Sequence, residues 1–315
     1  MTTLIDRTPP SNRRPDGTFF AWDSTSIKSV EKCARFAKYK LIDGWASHNK
    51  SVHLRFGAHY ATALEHFHKH IALGMDREDA LVEVIHEALI DTWDIAGSKD
   101  GVPIGAPWNS FDTNKTRETL IRTIVWYIDF FAEEELKTVI LPDNRPAVEY
   151  SFTIAVDRDI VFCGHLDRLA EMGGAHYVVD QKTTASTVAQ YYFAQYSPDT
   201  QVSMYTFAGK ALFHMPISGM IIDAAQIAVG FSRFERGFVF RSEDQLDEWY
   251  NETMTRIERF NADLLNDYFP MNAASCNNFG GCEFRSICAL PVKHREQFLK
   301  GNFQKQPLWN PLERR

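Results

Sequence analysis

Apolar residues in the first part of the chain recur at helical spacing. Asp23 to Ser26 supplies N-cap chemistry ahead of Ile27, Val30, Cys33 and Ala34, which predicts a helix. A second helix is expected from Arg55 to Leu73, with Gly74 at its C-terminal end. Asp76 can cap a third, carrying Leu81, Val84, Ile85, Ala88 and Leu89 on one face. Residues 96–111, with Gly97, Gly101, Pro103, Gly105 and Pro107, read as loop, and Thr116 to Thr138 as a long helix. The period then changes. Ala147 to Val156 alternates like a strand, and Ile160–Glu171 and His176–Gln181 follow as two more around a Gly173-Gly174 turn. Gln190 to Met215 returns to helical spacing, Met220–Val229 and Gly237–Phe240 read as strands, and Ser242 to Gln245 forms a capping box for a helix ending near Tyr268. This order predicts an α/β (α+β) fold, a small mixed sheet flanked by helices.

Composition narrows the class only slightly. With 44% hydrophobic and 24% charged residues the 315-residue chain has an ordinary globular make-up, so collagen-like or wholly disordered structure is excluded. No apolar run approaches the roughly 20 residues that span a bilayer, and the first ten residues lack an apolar signal core. A soluble, cytoplasmic protein without membrane partners is therefore expected. A net charge of −7 does not suit a protein that coats nucleic acid, yet it leaves room for a local basic groove in an enzyme with acidic metal ligands.

Two groups of residues carry chemistry. Asp167 lies near the end of one expected strand and Asp180 and Lys182 near the end of the next, and the Gly173-Gly174 turn can set the two aspartates side by side. Asp180 and Lys182, two residues apart, project to the same face. Two carboxylates beside an ammonium suit a hard divalent cation such as Mg²⁺ or Mn²⁺. Phosphodiester hydrolysis needs this combination, because charge develops on both the attacking and the leaving oxygen. Glu149, in a preceding strand, could add a third carboxylate. The second group is sulfur: Cys276, Cys282 and Cys288 crowd the C-terminal part, and Cys33 lies far upstream. Thiolates suit zinc or iron–sulfur clusters, and no Cys pair here has the close spacing usual for zinc. Cys163, inside a strand, reads as a small buried residue. His66 and His70, one helical turn apart, read as ordinary residues of an amphipathic helix.

Gly164-x-x-Asp167-Arg168, Asp180-x-Lys182-Thr183 and Gln201-x-x-x-Tyr205 together resemble the RecB-like branch of the PD-(D/E)XK nucleases. Phe56-Gly57-Ala58-His59 with Leu64-Glu65 looks like the first motif of that branch, and Glu149 like the glutamate that precedes its Gly-x-x-Asp strand. The resemblance implies a restriction-endonuclease-like core in which His59, Asp167, Asp180 and the backbone carbonyl of Gln181 bind the metal and Lys182 positions water. It implies that Gln201 and Tyr205 hold the DNA backbone or support the lysine, with Arg168 also a DNA contact. One Cys before the core and three after it resembles the members that carry a [4Fe–4S] cluster, such as AddB, exonuclease V and the nucleases of CRISPR adaptation. Cys33, Cys276, Cys282 and Cys288 would then hold that cluster.

The organisation expected on this basis is a flexible arm over 1–22, a helical region over 23–140 with Cys33 and His59, and a nuclease core over 145–241. A helix and iron–sulfur loop over 242–290 and a tail over 291–315 complete it, with 23–290 forming one integrated unit. No G-x-x-x-x-G-K-[ST] motif is present, so no ATP-driven motor is expected in this chain. The expected activity is metal-dependent exonucleolytic hydrolysis of DNA ends, single- or double-stranded, in recombination, repair or phage DNA processing. A separate recombinase, single-strand-binding protein or helicase would be a natural partner. The alternatives are a CRISPR-adaptation nuclease, a catalytically silent iron–sulfur DNA-end clamp and an electron-transfer protein.

Overall fold

A computed structural model describes residues 11–48, 51–99, 102–157, 159–213 and 215–313. These fall into two compact units. The first takes the described residues within 1–49, 151–165 and 242–315, and the second those within 50–150 and 166–241.

The second unit holds most of the sheet. Its elements are α3 (Val52–Ala72), α4 (Arg77–Asp91), the hairpin of β3 (Trp93–Lys99) and β4 (Val102–Pro107), α5 (Arg117–Phe130), β5 (Lys137–Thr138), β8 (Ala175–Thr184), α6 (Gln190–Phe193), α7 (Thr200–Leu212), β9 (Ile217–Ile227) and β10 (Ser232–Val239). It also takes the second half of β7 (Ile160–Met172), which pairs antiparallel with β8 through Arg168↔Val179 to Met172↔Ala175. Gly173 and Gly174, both at positive φ, make the turn between them, a conformation that glycine adopts without steric cost. β8 runs parallel to β9 and β9 antiparallel to β10, so the sheet is mixed. From Gly219 to Ile227 every residue of β9 is buried, as befits a strand covered on both faces.

Alternation sorts these strands into two faces. On one, Ala225, Ile227 and Phe234 share a core with Phe56, Tyr60, Leu64 and Phe67 of α3, Val84 of α4 and Leu120, Ile124 and Tyr127 of α5. On the other, Gly209 of α7 lies against Val178 and Ile217. Of the expected helical region 23–140, α3, α4 and α5 therefore form the cover of the sheet. Asp76 and Thr116 cap α4 and α5 through their side chains. The long helix expected to run to Thr138 stops at Phe130, and Lys137 and Thr138 form β5 beside β7. The single helix expected over 190–215 is interrupted: α6 leads into a 3₁₀ turn at Ala194–Tyr196, and α7 starts afresh behind the N-cap Asp199. Pro198 accounts for the break, since it disfavours helical conformation in the residue before it.

The first unit contains β1 (Ala21–Trp22), α1 (Ser24–Lys32), α2 (Ala34–Ala37), β2 (Trp45–Ser47), α8 (Glu243–Leu265), α9 (Arg285–Ala289), α10 (Val292–Asn302) and β11 (Phe303–Lys305). It also takes most of β6 (Val148–Asp157) and the first half of β7, which β6 pairs with. β1 runs parallel to Val161 and Phe162. Asp23 and Ser26 form a reciprocal capping box for α1, and Ser242 and Gln245 form one for α8. Phe19, Trp22, Phe260 and Phe269 pack ring against ring. Of the expected arm, residues 1–10 lie outside the described residues, while Asn12, Thr18, Phe19, Ala21 and Trp22 are buried. The expected tail is also structured. Leu299 and Phe303 enter a core with Phe36, Tyr39, Phe284 and Ile287, and β11 pairs with β2. Burial of these large apolar side chains outweighs the polar look of both segments.

Among the described residues, no helix is long and apolar enough to cross a membrane.

Candidate active site

The last paired residues of β7 and β8 are Arg168 and Val179, and one step beyond them come Asp167 and Asp180. There the ladder gives way to a side-chain bond: the backbone N–H of Gln181 donates to Asp167 Oδ2 at 3.0 Å. Asp180 is buried, and its Oδ2 has no partner except the Lys182 ammonium, with which it forms an ion pair. Its Oδ1 accepts from Gln201 Nε2 at 3.1 Å. Gln201 stands in the first turn of α7, so the helix covering this face also fixes the carboxylate. The Lys182 side chain keeps 28% of its surface exposed, whereas that of Asp180 keeps 2%, so the ammonium is the open side of the pair.

The electrostatics follow from this crowding. Burial, and then the neighbouring Asp180, push the Asp167 carboxyl up to about 7; Lys182 and the Gln181 N–H act the other way, and Glu149 adds a further upward push. For Lys182 burial disfavours the charged form, but Asp180 and Asp167 outweigh it and hold the ammonium above its ordinary range. Lys182 is therefore a fixed cation at neutral pH, not a proton acceptor. Glu149 approaches closely enough to act on Asp167, and its backbone sits at φ +47°, a left-handed conformation that costs a non-glycine residue about 1 kcal/mol or more.

Not every residue expected here arrives. His59 lies beside Arg55, whose Nε is 3.4 Å from its Nε2, and near the Trp108 ring; burial and then Arg55 lower its pKa, with Asp91 and Asp94 opposing. Arg168 is not on a DNA-facing surface. It is 2% exposed and donates through Nη1 to the His68 ring at 2.7 Å, because alternation along β7 turns it to the face opposite Asp167. Burial, then Arg168, push His68 far below its ordinary range, which leaves a neutral acceptor. Tyr205, one turn beyond Gln201 on α7, is buried. Arg236 is likewise enclosed, pairing with Asp223 at 3.1 Å and Glu134 at 2.5 Å.

The residues before α7 were not among those expected. Asp180 and Asp199 both act electrostatically on Tyr196, although burial is the main reason its hydroxyl is raised, and Asp199 also acts on Lys182. The Tyr192 and Tyr196 hydroxyls lie 3.2 Å apart. The signal that could have found them is Pro198 followed by Asp199-Thr200, a helix start that places the preceding turn next to the Gln201 side of the site.

In the first unit all five cysteines are free. Cys33 caps the junction of α1 and α2, and its Sγ accepts from the Asn272 N–H at 3.3 Å. Cys33, Cys282 and Cys288 pack against the core of Phe36, Tyr39, Phe284 and Phe303. Burial raises the Cys282 thiol, with Cys276 and Cys33 adding to it, and burial raises Cys288, with Cys282 and Cys33 adding; Lys32 opposes at Cys282, and Arg35 and Arg295 oppose at Cys288. Cys282 thus lies within electrostatic reach of Cys276 and Cys33, and Cys288 within reach of Cys282 and Cys33. Cys163 is buried as expected, held to the Trp22 carbonyl, its thiol raised far beyond any reactive range by burial.

Among the described residues, no three or more His, Cys, Asp and Glu side chains are gathered as a ready metal-holding group. The donor chemistry nevertheless fits a hard cation at the aspartates. Two carboxylates are crowded at the cost of an elevated proton affinity, and the buried Asp180 Oδ2 meets only the Lys182 ammonium. At the cysteines, Lys32 acts on Cys282 and Arg35 and Arg295 act on Cys288, and thiols are soft donors that do not suit a hard ion.

The structure is thus a mixed sheet flanked by helices, with two aspartates and a lysine at adjoining strand ends. The chain belongs to the PD-(D/E)XK nuclease superfamily, whose family model matches residues 22–289. A search of curated proteins returned no match. Among solved structures, the chain is similar to a protein of Eubacterium rectale provisionally described as an exonuclease, at 13% identity and a TM-score of 0.47, over 81% of this chain and 85% of that one.

Proposed function

We propose that this nuclease hydrolyses phosphodiester bonds at DNA ends with a divalent cation, Mg²⁺ or Mn²⁺, held by Asp167, Asp180 and the Gln181 carbonyl. The observation that carries the reading is the ion-paired Asp180–Lys182 beside a carboxyl, Asp167, whose pKa is pushed up to about 7. A bound cation would neutralise the two carboxylates and acidify a coordinated water. Asp167 must release its proton for that, so cation binding strengthens as pH rises through 7. Lys182, held as an ammonium, orients the water and offsets charge on the phosphate. The water oxygen forms a bond to phosphorus, its proton passes to solvent, the ester P–O bond breaks, and the leaving oxygen takes up a proton. Gln201 keeps Asp180 in place through its 3.1 Å bond. Glu149 adds a third negative charge beside Asp167 for the cation to offset, and Tyr205 is buried on the helix that carries Gln201.

Cys33, Cys276, Cys282 and Cys288 would hold a [4Fe–4S] cluster that ties chain segments more than 200 residues apart. The electrostatic influence of Cys276 and Cys33 on Cys282 and of Cys282 and Cys33 on Cys288, and the aromatic core that Cys33, Cys282 and Cys288 share, support this. The cellular setting we infer is cytoplasmic DNA recombination, repair or phage DNA processing, alongside a separate recombinase, single-strand-binding protein or helicase.

Anaerobically purified protein, assayed for iron and sulfide, is to be incubated with 5′- or 3′-labelled linear DNA and with closed circular DNA in Mg²⁺ or Mn²⁺. Cation-dependent loss of end label with the circle left intact is the expected result. DNA binding without cleavage in either cation would instead favour the silent iron–sulfur clamp.

A further inference from the structure

Strand β10 is a free edge of the sheet: among the described residues it pairs with β9 and with no other strand. An exposed edge invites pairing with another strand, and proteins blunt such edges with proline, lysine, bulges or short length. β10 uses none of these. Its eight residues keep one unbroken register with β9, from Ser232↔Ile227 to Val239↔Met220, and include no proline or lysine. The direction of its free backbone groups follows from the turn. The Ala228 N–H donates to the Phe231 carbonyl at 3.0 Å, which makes 228 and 231 a hydrogen-bonded pair. Alternation from there turns the backbone groups of Arg233, Glu235, Gly237 and Val239 toward β9. Those of Ser232, Phe234, Arg236 and Phe238 face the open edge, and no turn or loop among the described residues bonds them.

The side chains along this edge are self-complementary. Arg233 and Glu235 are exposed on one face, two residues apart, and neither forms an ion pair among the described residues. Val229 and Phe231 are exposed at the turn, and Phe238 and Phe240 at the other end. Phe130 of α5, also exposed, packs its ring on Phe234 between them, with 5.6 Å between centroids.

We propose that two copies of this chain associate through β10, pairing antiparallel about a two-fold axis at Phe234. That register sets Arg233 of each copy opposite Glu235 of the other. Both are non-hydrogen-bonded pairs, in which facing side chains come closest. It also joins the outward backbone groups of Phe234 to those of its counterpart, and those of Ser232 to those of Arg236. The turn of one copy, with Val229 and Phe231, then lies beside the Phe238 and Phe240 end of the other, which removes exposed apolar surface from water. Moving the axis one residue, to Arg233 or Glu235, sets like charges opposite each other instead. Through the register Lys182↔Ala224↔Glu235, the charged face of β10 is also the face of Asp180 and Lys182. Both aspartate–lysine groups therefore lie on one side of the joined sheet.

Sedimentation velocity of the full-length, anaerobically purified protein, over a concentration series in low salt, reads the association directly. The wild type is expected to reach a dimer. Arg233→Glu and Glu235→Arg, both at exposed positions, should each weaken it about 10-fold or more. The double variant should return to within about threefold of wild type, because both opposite-charge pairs are restored. An equimolar mixture of the two single variants should, for the same reason, associate more tightly than either alone. A monomer at every wild-type concentration would overturn the proposal and leave the edge to a strand of another protein. A dimer that neither single variant weakens, or that the double variant fails to restore, would overturn it as well.

Discussion

The two chemical centres of this chain are built in opposite ways. The aspartate–lysine centre stands on adjoining strand ends, β7 and β8, with α7 laid across them, and its groups already touch: Asp167 holds the Gln181 N–H, and Asp180 holds Lys182 and Gln201. The cysteines stand on short turns and the ends of short helices drawn from both ends of the chain, close enough to influence one another without closing into a cage. Strands fix side-chain positions through a ladder of hydrogen bonds, so a carboxylate centre on them can be assembled in advance, and the strain of doing so appears as the elevated Asp167. The proposed soft-ligand site, made from short segments, would gain its closure from the ligand bonds themselves.

Several substitutions can break or sharpen this contrast. The largest effect is expected from Asp180→Asn or Lys182→Ala, each lowering the single-turnover cleavage rate by about 10²–10³-fold or more while the bound iron is unchanged. Cys282→Ser should do the reverse in composition, removing most of the iron and sulfide and lowering the calorimetric unfolding temperature. Asp167→Asn should make the cation-free protein more stable at pH 8 by about 2–4 kcal/mol in urea denaturation, while abolishing stabilisation by added Mn²⁺. The sign follows from the raised carboxyl: the folded state holds the Asp167 proton up to about pH 7 and the unfolded chain releases it near 4. The wild type therefore loses stability from this group as pH rises from about 4 to 7, and the variant does not. A smaller effect, about 1–3 kcal/mol, is expected for Tyr127→Phe, which removes the hydroxyl that donates to buried Asp223 at 2.6 Å; its check is the same urea midpoint at constant slope.

The parts of the centre that alternation governs were legible beforehand. Asp167, Asp180 and Lys182 could be placed on one face because a strand has a period of two and the Gly173-Gly174 turn sets the register. The same rule, applied one residue on, sends Arg168 inward to His68, and reading it only as a neighbour of Asp167 hid that. The β3–β4 hairpin bearing Trp93 and Asp94 was missed for a different reason: Gly97, Pro103, Gly105 and Pro107 disguise it as loop. The C-terminal segment escaped notice because Leu299 and Phe303 are too sparse to show a period, though both are buried in one core with Phe36 and Phe284. Tyr192 and Tyr196 were missed because a helical pattern was carried through Pro198, where the chain turns.

The central claim is that the Asp167–Asp180–Lys182 group is where the phosphodiester is broken. The most direct measurement is single-turnover cleavage of end-labelled DNA in Mn²⁺ by the wild type beside Asp180→Asn and Lys182→Ala, with iron content matched among the three preparations. Rapid loss of label by the wild type alone is the predicted result. Equal cleavage by all three proteins would contradict the account and move the chemistry elsewhere in the chain.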